Sequence, residues 1–263
     1  MKKPYLTLII PTHKRAKLLT RALASINAQR FREEIEVIVI SDVEDYETMV
    51  SCHENLRNHD IYVRRNGSNG PSLSRNLGLQ IANGENIMFL DDDDSWDPDF
   101  FNNLKNLDLN IRANYFNCKV IKECRLDSGP IKLNEVSIDS SNALNLNVFV
   151  KNQIHMSCLI FNKALIKDYK FDCTMRAYED WDFLLNIYKE ILPLHHPIVC
   201  SNIFEVDDET TDRRGSSADA LNFNAVIDYL YVYRRHGSPN EEIRKKRKIL
   251  LDAAGLNIPI EML

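Results

Sequence analysis

The sequence has no Cys-x-x-Cys pair and no cysteine–histidine spacing that suits zinc. Its six cysteines (Cys52, Cys118, Cys124, Cys158, Cys173 and Cys200) are scattered along 263 residues. That excludes a structural zinc site and offers no disulfide framework, so free thiols in a reducing cytoplasm are expected. No run of residues approaches the roughly 20 apolar positions that a membrane-spanning helix needs. The opening Met1 to Pro11 is basic at Lys2-Lys3, but its apolar run is too short for a signal peptide. Positive charge is not in excess either. A net charge of −5 argues against bulk nucleic-acid binding and leaves room only for local basic patches. There is no internal repeat and no disordered linker. What remains, 44% apolar and 27% charged, is the composition of a globular chain able to bury a full core.

Against that background one feature stands out. The apolar run Ile87-Met88-Phe89-Leu90 ends in four aspartates, Asp91 to Asp94, followed by Ser95-Trp96. A short apolar run ending in carboxylates reads as a buried strand that delivers negative charge to a sheet edge. In open α/β sheets ligands collect at the carboxyl ends of strands. Hard oxygen ligands suit Mg²⁺ or Mn²⁺, held by one or two carboxylates together with a substrate's phosphates. An acidic run taken alone reads instead as a solvated loop capping the helix that starts near Asp97-Pro98. It is not an EF-hand, because the spaced ligands and central glycine of that loop are missing.

The surrounding pattern is α/β. Strands are expected at 6–10, 36–40, 61–63 and 87–90, alternating with helices at 14–30, 46–55 and from Gly70-Pro71-Ser72 onward. Asn83-Gly84 is expected to end the last of these with a left-handed cap. This order implies a doubly wound, mainly parallel sheet with helices on both faces. Beyond Asp99 the pattern predicts strands at 113–121 and 131–138 around a turn, a buried strand at 156–161 and a helix from Glu179 to Leu192. A polar loop at 205–219 and a final helix capped by Ser238-Pro239-Asn240-Glu241 complete the chain.

Five motifs then fall in one order: Ile10-Pro11-Thr12-His13-Lys14-Arg15, Asp42 after the second strand, Gly70 to Gly78 with Ser74-Arg75-Asn76, Gly84 to Trp96 with the aspartates, and Glu179-Asp180 at a helix start. Together, over about residues 5–192, they resemble the inverting family 2 glycosyltransferases of the GT-A fold. The resemblance implies a domain over 1–205, with a nucleotide-binding half at 1–100 and an acceptor half at 101–205. A mobile loop and C-terminal helices would fill 206–263.

The resemblance also implies roles. Pro11, Thr12, His13 and Arg15 would line the base and phosphate side of a nucleotide-sugar pocket. Asp42 would accept a hydrogen bond from the base, and Arg75 would reach the base or diphosphate. Asp92 would bind ribose and Asp93 would be the direct ligand of Mn²⁺ or Mg²⁺, with Asp91 and Asp94 as alternatives because the run leaves the register open by one residue. Asp180 would be the base that takes the acceptor's proton, and Glu179 would position it or touch the acceptor. Read without the family, Asp180 is as well explained as a helix N-cap. Asp182 is expected to face solvent.

His155 could contact acceptor or phosphate, or be an edge histidine. Arg213 and Arg214 could close as a lid, or be solvated in a polar loop. His195-His196 are read as structural, and Trp96 and Trp181 as core. The basic run Arg244 to Lys248 could rest on an anionic membrane carrying a lipid-linked acceptor, or be a solvated face. The implied donor is a UDP-sugar, the acceptor a polysaccharide or lipid-linked glycan, and the location the cytoplasm or the inner face of a membrane. Two rivals remain: a catalytically silent nucleotide-sugar-binding module on the same fold, and a sugar nucleotidyltransferase. The second needs a glycine-rich loop after the first strand, and Pro11 to Arg15 has no glycine.

Overall fold

Buried parallel strands read as unbroken apolar runs, and the first two behave so. The computed structural model describes residues 3–109, 113–126, 129–206 and 223–263. In it β1 (Leu6–Thr12) and β2 (Ile35–Ser41) are buried at every position. β1 pairs in parallel with β2 on one side and with β4 (Asn86–Phe89) on the other, and β3 (Ile61–Arg64) adds to β2. Helices α1 (Ala16–Asn27), α2 (Tyr46–Asn55) and α3 (Pro71–Ile81) make the crossovers. Because β1, β2 and β4 run the same way, Thr12-His13, Asp42 and the four aspartates meet at one edge of the sheet.

The second half widens the same sheet. β5 (Ser95–Trp96) and the short helix α4 (Phe100–Leu104) precede a long hairpin of β6 (Ala113–Leu126) and β7 (Gly129–Ile138). Then come β8 (Leu159–Asn162), α5 (Lys163–Ile166), α6 (Glu179–Tyr188), β9 (Leu194–Val206), α7 (Phe223–Arg235) and α8 (Glu241–Ala253). Nine strands among the described residues follow the order β3-β2-β1-β4-β8-β6-β9-β5, with β7 paired to β6. β1 to β4 are parallel, as are β6 and β9; β8 runs antiparallel between β4 and β6.

Two glycines are required by close approach. A Cβ on Gly78, inside α3, would sit 2.5 Å from the Ile9 side chain, so glycine lets α3 lie against β1. A Cβ on Gly84 would come within 2.4 Å of the Thr7 backbone nitrogen. This corrects the expected left-handed cap: Gly84 has no positive φ, and α3 ends at Ala82 in extended geometry. Other boundaries shift as well. α6 stops at Tyr188, short of the expected Leu192. Asn240, not Ser238, caps α8, since its side-chain oxygen accepts the Ile243 N–H at 2.9 Å. Met156–Cys158 form a tight helical turn, so the strand expected from 156 begins at Leu159.

The C-terminal helices share the core of the sheet. Val232, Tyr233, Ile243 and Leu251 belong to the same apolar cluster as Trp96, Trp181 and the strands. Arg247 is fully buried and donates to the carbonyls of Phe149, Tyr233, His236 and Leu263, with its guanidinium over the Tyr233 ring. The rest of the basic run is largely neutralised: Arg244, Lys246 and Lys248 pair with Glu241, Glu242 and Asp252. Among the described residues no helix is long and apolar enough to cross a membrane.

Candidate active site

The aspartate turn is held by what lies beneath it. Asp92 is buried and accepts from Thr12 Oγ1 at 2.7 Å, from the His13 N–H at 3.4 Å and from Arg15 at 3.2 Å. Asp94 is also buried, accepting from Ser157 Oγ at 2.8 Å and from the Phe204 N–H at 3.2 Å. Burial pushes the Asp92 carboxyl up to about 6 against the pull of Arg15. Burial, then Asp91 and Asp93, pushes Asp94 up as well. The other two side chains face outward, Asp91 45% and Asp93 24% exposed. Asp92 and Asp94 are thus anchors of the turn, with their carboxylates turned inward.

Cations surround the outward pair. Arg15 and Arg125 approach Asp93 Oδ2 at 3.2 and 3.4 Å, and Arg21 donates to the Asp93 carbonyl at 2.6 Å. Buried Glu123 accepts from both Arg21 and Arg125. No local pattern singles out Arg21, Glu123 or Arg125, which hairpin β6–β7 and α1 bring together. Lys14, just before Arg15, has a positive φ of 53°. Such strained turns recur at functional sites, and Tyr178, just before Glu179, has another at 62°.

Beside the turn, His13 Nδ1 lies 2.5 Å from Asp42 Oδ1, and the Gly70 N–H donates to Asp42 Oδ2 at 2.7 Å. The Asp42 side chain is enclosed by these partners, so it is His13 that reaches the open cleft. Pro11 is buried behind it in β1. The cleft, about 460 Å³, runs from His13 past Ser68 to Leu73 and is closed opposite by Cys173, Thr174, Met175 and Arg176. It lies beside the aspartate turn and does not include it.

Arg75 joins the two acidic centres. It donates to Asp91 Oδ1 at 2.9 Å and to Glu179 Oε1 at 2.8 Å. Burial opposes its charge, but Asp91, Glu179 and Asp180 outweigh burial and push its pKa up. Asp180 lies within the first turn of α6, where Tyr178 is the cap residue, so it is not the N-cap. Its carboxylate accepts from the Trp181 N–H at 2.7 Å and from Asn152 Nδ2 at 3.2 Å. Burial first, then Glu179, raises Asp180 to about 7, with Arg75 pulling the other way.

Asp182 corrects the solvent-facing expectation: it is wholly buried, accepting from His236 and Arg235 at 2.8 and 2.7 Å. His155 has an exposed surface, and desolvation of its ring lowers its pKa against the opposing charges of Asp91 and Glu205. His195 and His196 bond Asn117 and Asn114 on β6. Arg213 and Arg214 lie outside the described residues.

No group of three or more His, Cys, Asp or Glu side chains able to hold a metal occurs among the described residues. Asp91 and Asp93 offer two hard carboxylates at an open edge. That suits Mg²⁺ or Mn²⁺, which keeps several waters and takes one or two carboxylates plus substrate phosphates.

The sequence model described as Glycosyl transferase family 2 matches residues 7–167. The GalNAc(5)-diNAcBac-PP-undecaprenol beta-1,3-glucosyltransferase of Campylobacter jejuni is 28% identical over 234 residues, covering 86% of this chain and 72% of that protein. The crystal structure of S. aureus TarS 1-349 in complex with UDP-GlcNAc superposes with a TM-score of 0.65 at 18% identity, covering 94% of this chain and 71% of TarS 1-349. A mannosyltransferase from Pyrobaculum calidifontis in complex with GDP-Man and Mn²⁺ gives 0.55 at 19% identity, covering 100% and 78%. These two structures share the fold.

Proposed function

The chain belongs to glycosyl transferase family 2, and from that premise we propose that it moves a sugar from a nucleoside-diphospho-sugar, a UDP-sugar in our reading, to a hydroxyl of a polysaccharide or lipid-linked glycan with inversion. One observation carries this reading. Two acidic centres, the outward Asp91 and Asp93 and the Glu179-Asp180 pair, are tied to each other through the buried guanidinium of Arg75, which bonds Asp91 and Glu179. A transferase needs such a pair, one centre for the leaving diphosphate and one for the acceptor.

Residues 1–100 carry most of the donor site, Arg125 and the segment 173–176 complete it, and Asp180 serves the acceptor. The nucleoside lies in the cleft between His13 and the segment 173–176. The diphosphate lies along Asp91 and Asp93, where Arg15 and Arg125 supply positive charge. Asp91 and Asp93 would hold Mn²⁺ or Mg²⁺, which when bound stabilises negative charge on the leaving group. Asp180 takes the proton of the acceptor hydroxyl as that oxygen bonds to the anomeric carbon. The bond from that carbon to the diphosphate oxygen breaks, and the nucleoside diphosphate leaves with the electron pair. Glu179 keeps Asp180 basic, and Asn152 orients it. The printed name of the C. jejuni relative, with its PP-undecaprenol acceptor, supports a lipid-linked glycan met at the cytoplasmic face of a membrane.

The neighbours hold different nucleotides, UDP-GlcNAc and GDP-Man, so the base is tested first. Thermal shifts are measured with UDP, GDP, dTDP and CMP, each with Mn²⁺ and with EDTA. A metal-dependent rise with UDP is expected by mass action. No shift with any nucleotide, from folded protein, would reject the donor site. Asp180→Asn should abolish transfer and leave nucleotide binding in place.

A further inference from the structure

The segment that carries Asp180 is one limb of a loop whose neck is closed by a residue from far along the chain. From Asp172 the loop runs along the donor cleft as Cys173, Thr174, Met175 and Arg176, bends at Tyr178, and returns through Glu179 and Asp180 to Asp182. Arg235, the last residue of α7, spans its two ends. Nη2 donates to Asp172 Oδ2 at 2.7 Å and Nη1 to Asp182 Oδ2 at 2.7 Å. The other oxygen of Asp182 accepts from fully buried His236 at 2.8 Å. Midway, Asp228 of the same helix accepts the backbone N–H groups of Arg176 and Ala177 at 2.7 and 3.0 Å. Just before the neck, Asn76 of α3 holds both the N–H and the carbonyl of Phe171, each at 2.9 Å.

We infer that Arg235 is a positioning residue for transfer: by clamping Asp172 to Asp182 it fixes the limb carrying Asp180 relative to the donor-cleft wall on the other limb. The inference rests on the reading of Asp180 as base. A planar guanidinium reaches two separate carboxylates from one fixed fork, which a lysine ammonium does not do at the same geometry. The Asp182 arm is buried, while the Arg235 side chain is 32% exposed and that of Asp172 16%, so water screens the Asp172 arm and its share of global stability is small. Its geometric effect is not screened, because misplacing a reacting group by about 1 Å costs on the order of a hundredfold in rate.

The experiment uses the full chain with Arg235→Lys, Asp172→Asn and their double variant, alongside Asp180→Asn. Turnover, nucleotide affinity by calorimetry and melting temperature are read for each. Arg235→Lys and Asp172→Asn should each lower kcat about tenfold or more, with nucleotide Kd held within about twofold and only a slight loss of melting temperature. The double variant should be no slower than the worse single one, because both break the same contact. Asp172→Asn keeps the test alive should Arg235→Lys fold poorly, since it leaves α6 and α7 untouched. Wild-type kcat in either single variant overturns the clamp. So do losses that multiply in the double variant, or a fall in kcat matched by equal falls in nucleotide affinity and melting temperature. If Asp180→Asn still turns over, the base assignment fails whatever Arg235 does. If Asp180→Asn is inactive and Arg235→Lys is fast, only the clamp fails.

Discussion

Replacing Glu179 with glutamine should move the acid limb of the pH–rate profile downward. In the wild-type chain burial and then the Glu179 charge raise Asp180 to about 7, against Arg75. Only the ionised carboxylate can accept a proton, so kcat/KM should fall about tenfold per pH unit below that point. At pH 6 it should be about a tenth of its plateau. Neighbouring carboxylates in one helical turn stand roughly 6–7 Å apart, which at an effective dielectric of about 20 gives ~2.5 kcal/mol, close to two pKa units. Glutamine removes that repulsion and leaves Arg75 paired with Asp91, which still favours the ionised form of Asp180. The limb should therefore fall by about one to two units, while burial, the larger cause, keeps it above the usual aspartate value. Initial rates at subsaturating donor, from pH 5 to 9 at fixed ionic strength and metal concentration, read this directly. The reasoning is refuted by a limb that stays near 7 in Glu179→Gln, or by a wild-type profile that is flat across that range.

The same raised carboxyl has a stability sign. Folding binds a proton more tightly at Asp180 than the unfolded chain does, so its contribution is present below about pH 4 and is lost as pH rises through about 7. Asp180→Asn, melted in EDTA, should therefore be more stable than wild type at pH 8, with the difference closing toward pH 4. Arg125→Gln should weaken nucleoside diphosphate binding about tenfold, or ~1.4 kcal/mol, and leave the free nucleoside unaffected, as calorimetry would show. Gly84→Ala would put a Cβ within 2.4 Å of the Thr7 backbone, and denaturant unfolding should show a loss of about 1–3 kcal/mol or more. Arg247→Met orphans buried carbonyls at about 1–3 kcal/mol each; an unchanged unfolding midpoint would show that Arg247 does not hold the C-terminal helices.

Residues 1–100 were legible because β1, β2 and β4 are buried and read as apolar runs, each ending where a polar residue reaches the sheet edge: Thr12, Asp42, Asp91. The order of motifs carried Arg75 and Glu179-Asp180 as well. The register inside the aspartate run was not legible, since four identical residues carry no internal contrast. It is set by Thr12 and Ser157, 80 and 63 residues from their partners. Asp182 looked like a solvated helix residue because His236, which makes it a buried one, lies 54 residues on. Gly84 looked like a helix stop, and its actual constraint is the backbone of Thr7, which local sequence does not reveal. Arg125 and Glu123 sit in an alternating hairpin whose site-facing side only the pairing with β9 defines.

The neck contact of Arg235 also has a place in time. Arg235 follows Asp172 by 63 residues and Asp182 by 53. At synthesis rates of about 5–20 residues per second, it leaves the ribosome roughly 3–10 seconds after Asp182. Strands β1 to β4 and the aspartate turn have emerged long before that. On the proposed reading, a nascent chain therefore has the parts that grip a nucleotide before it has the residue that clamps the limb carrying Asp180.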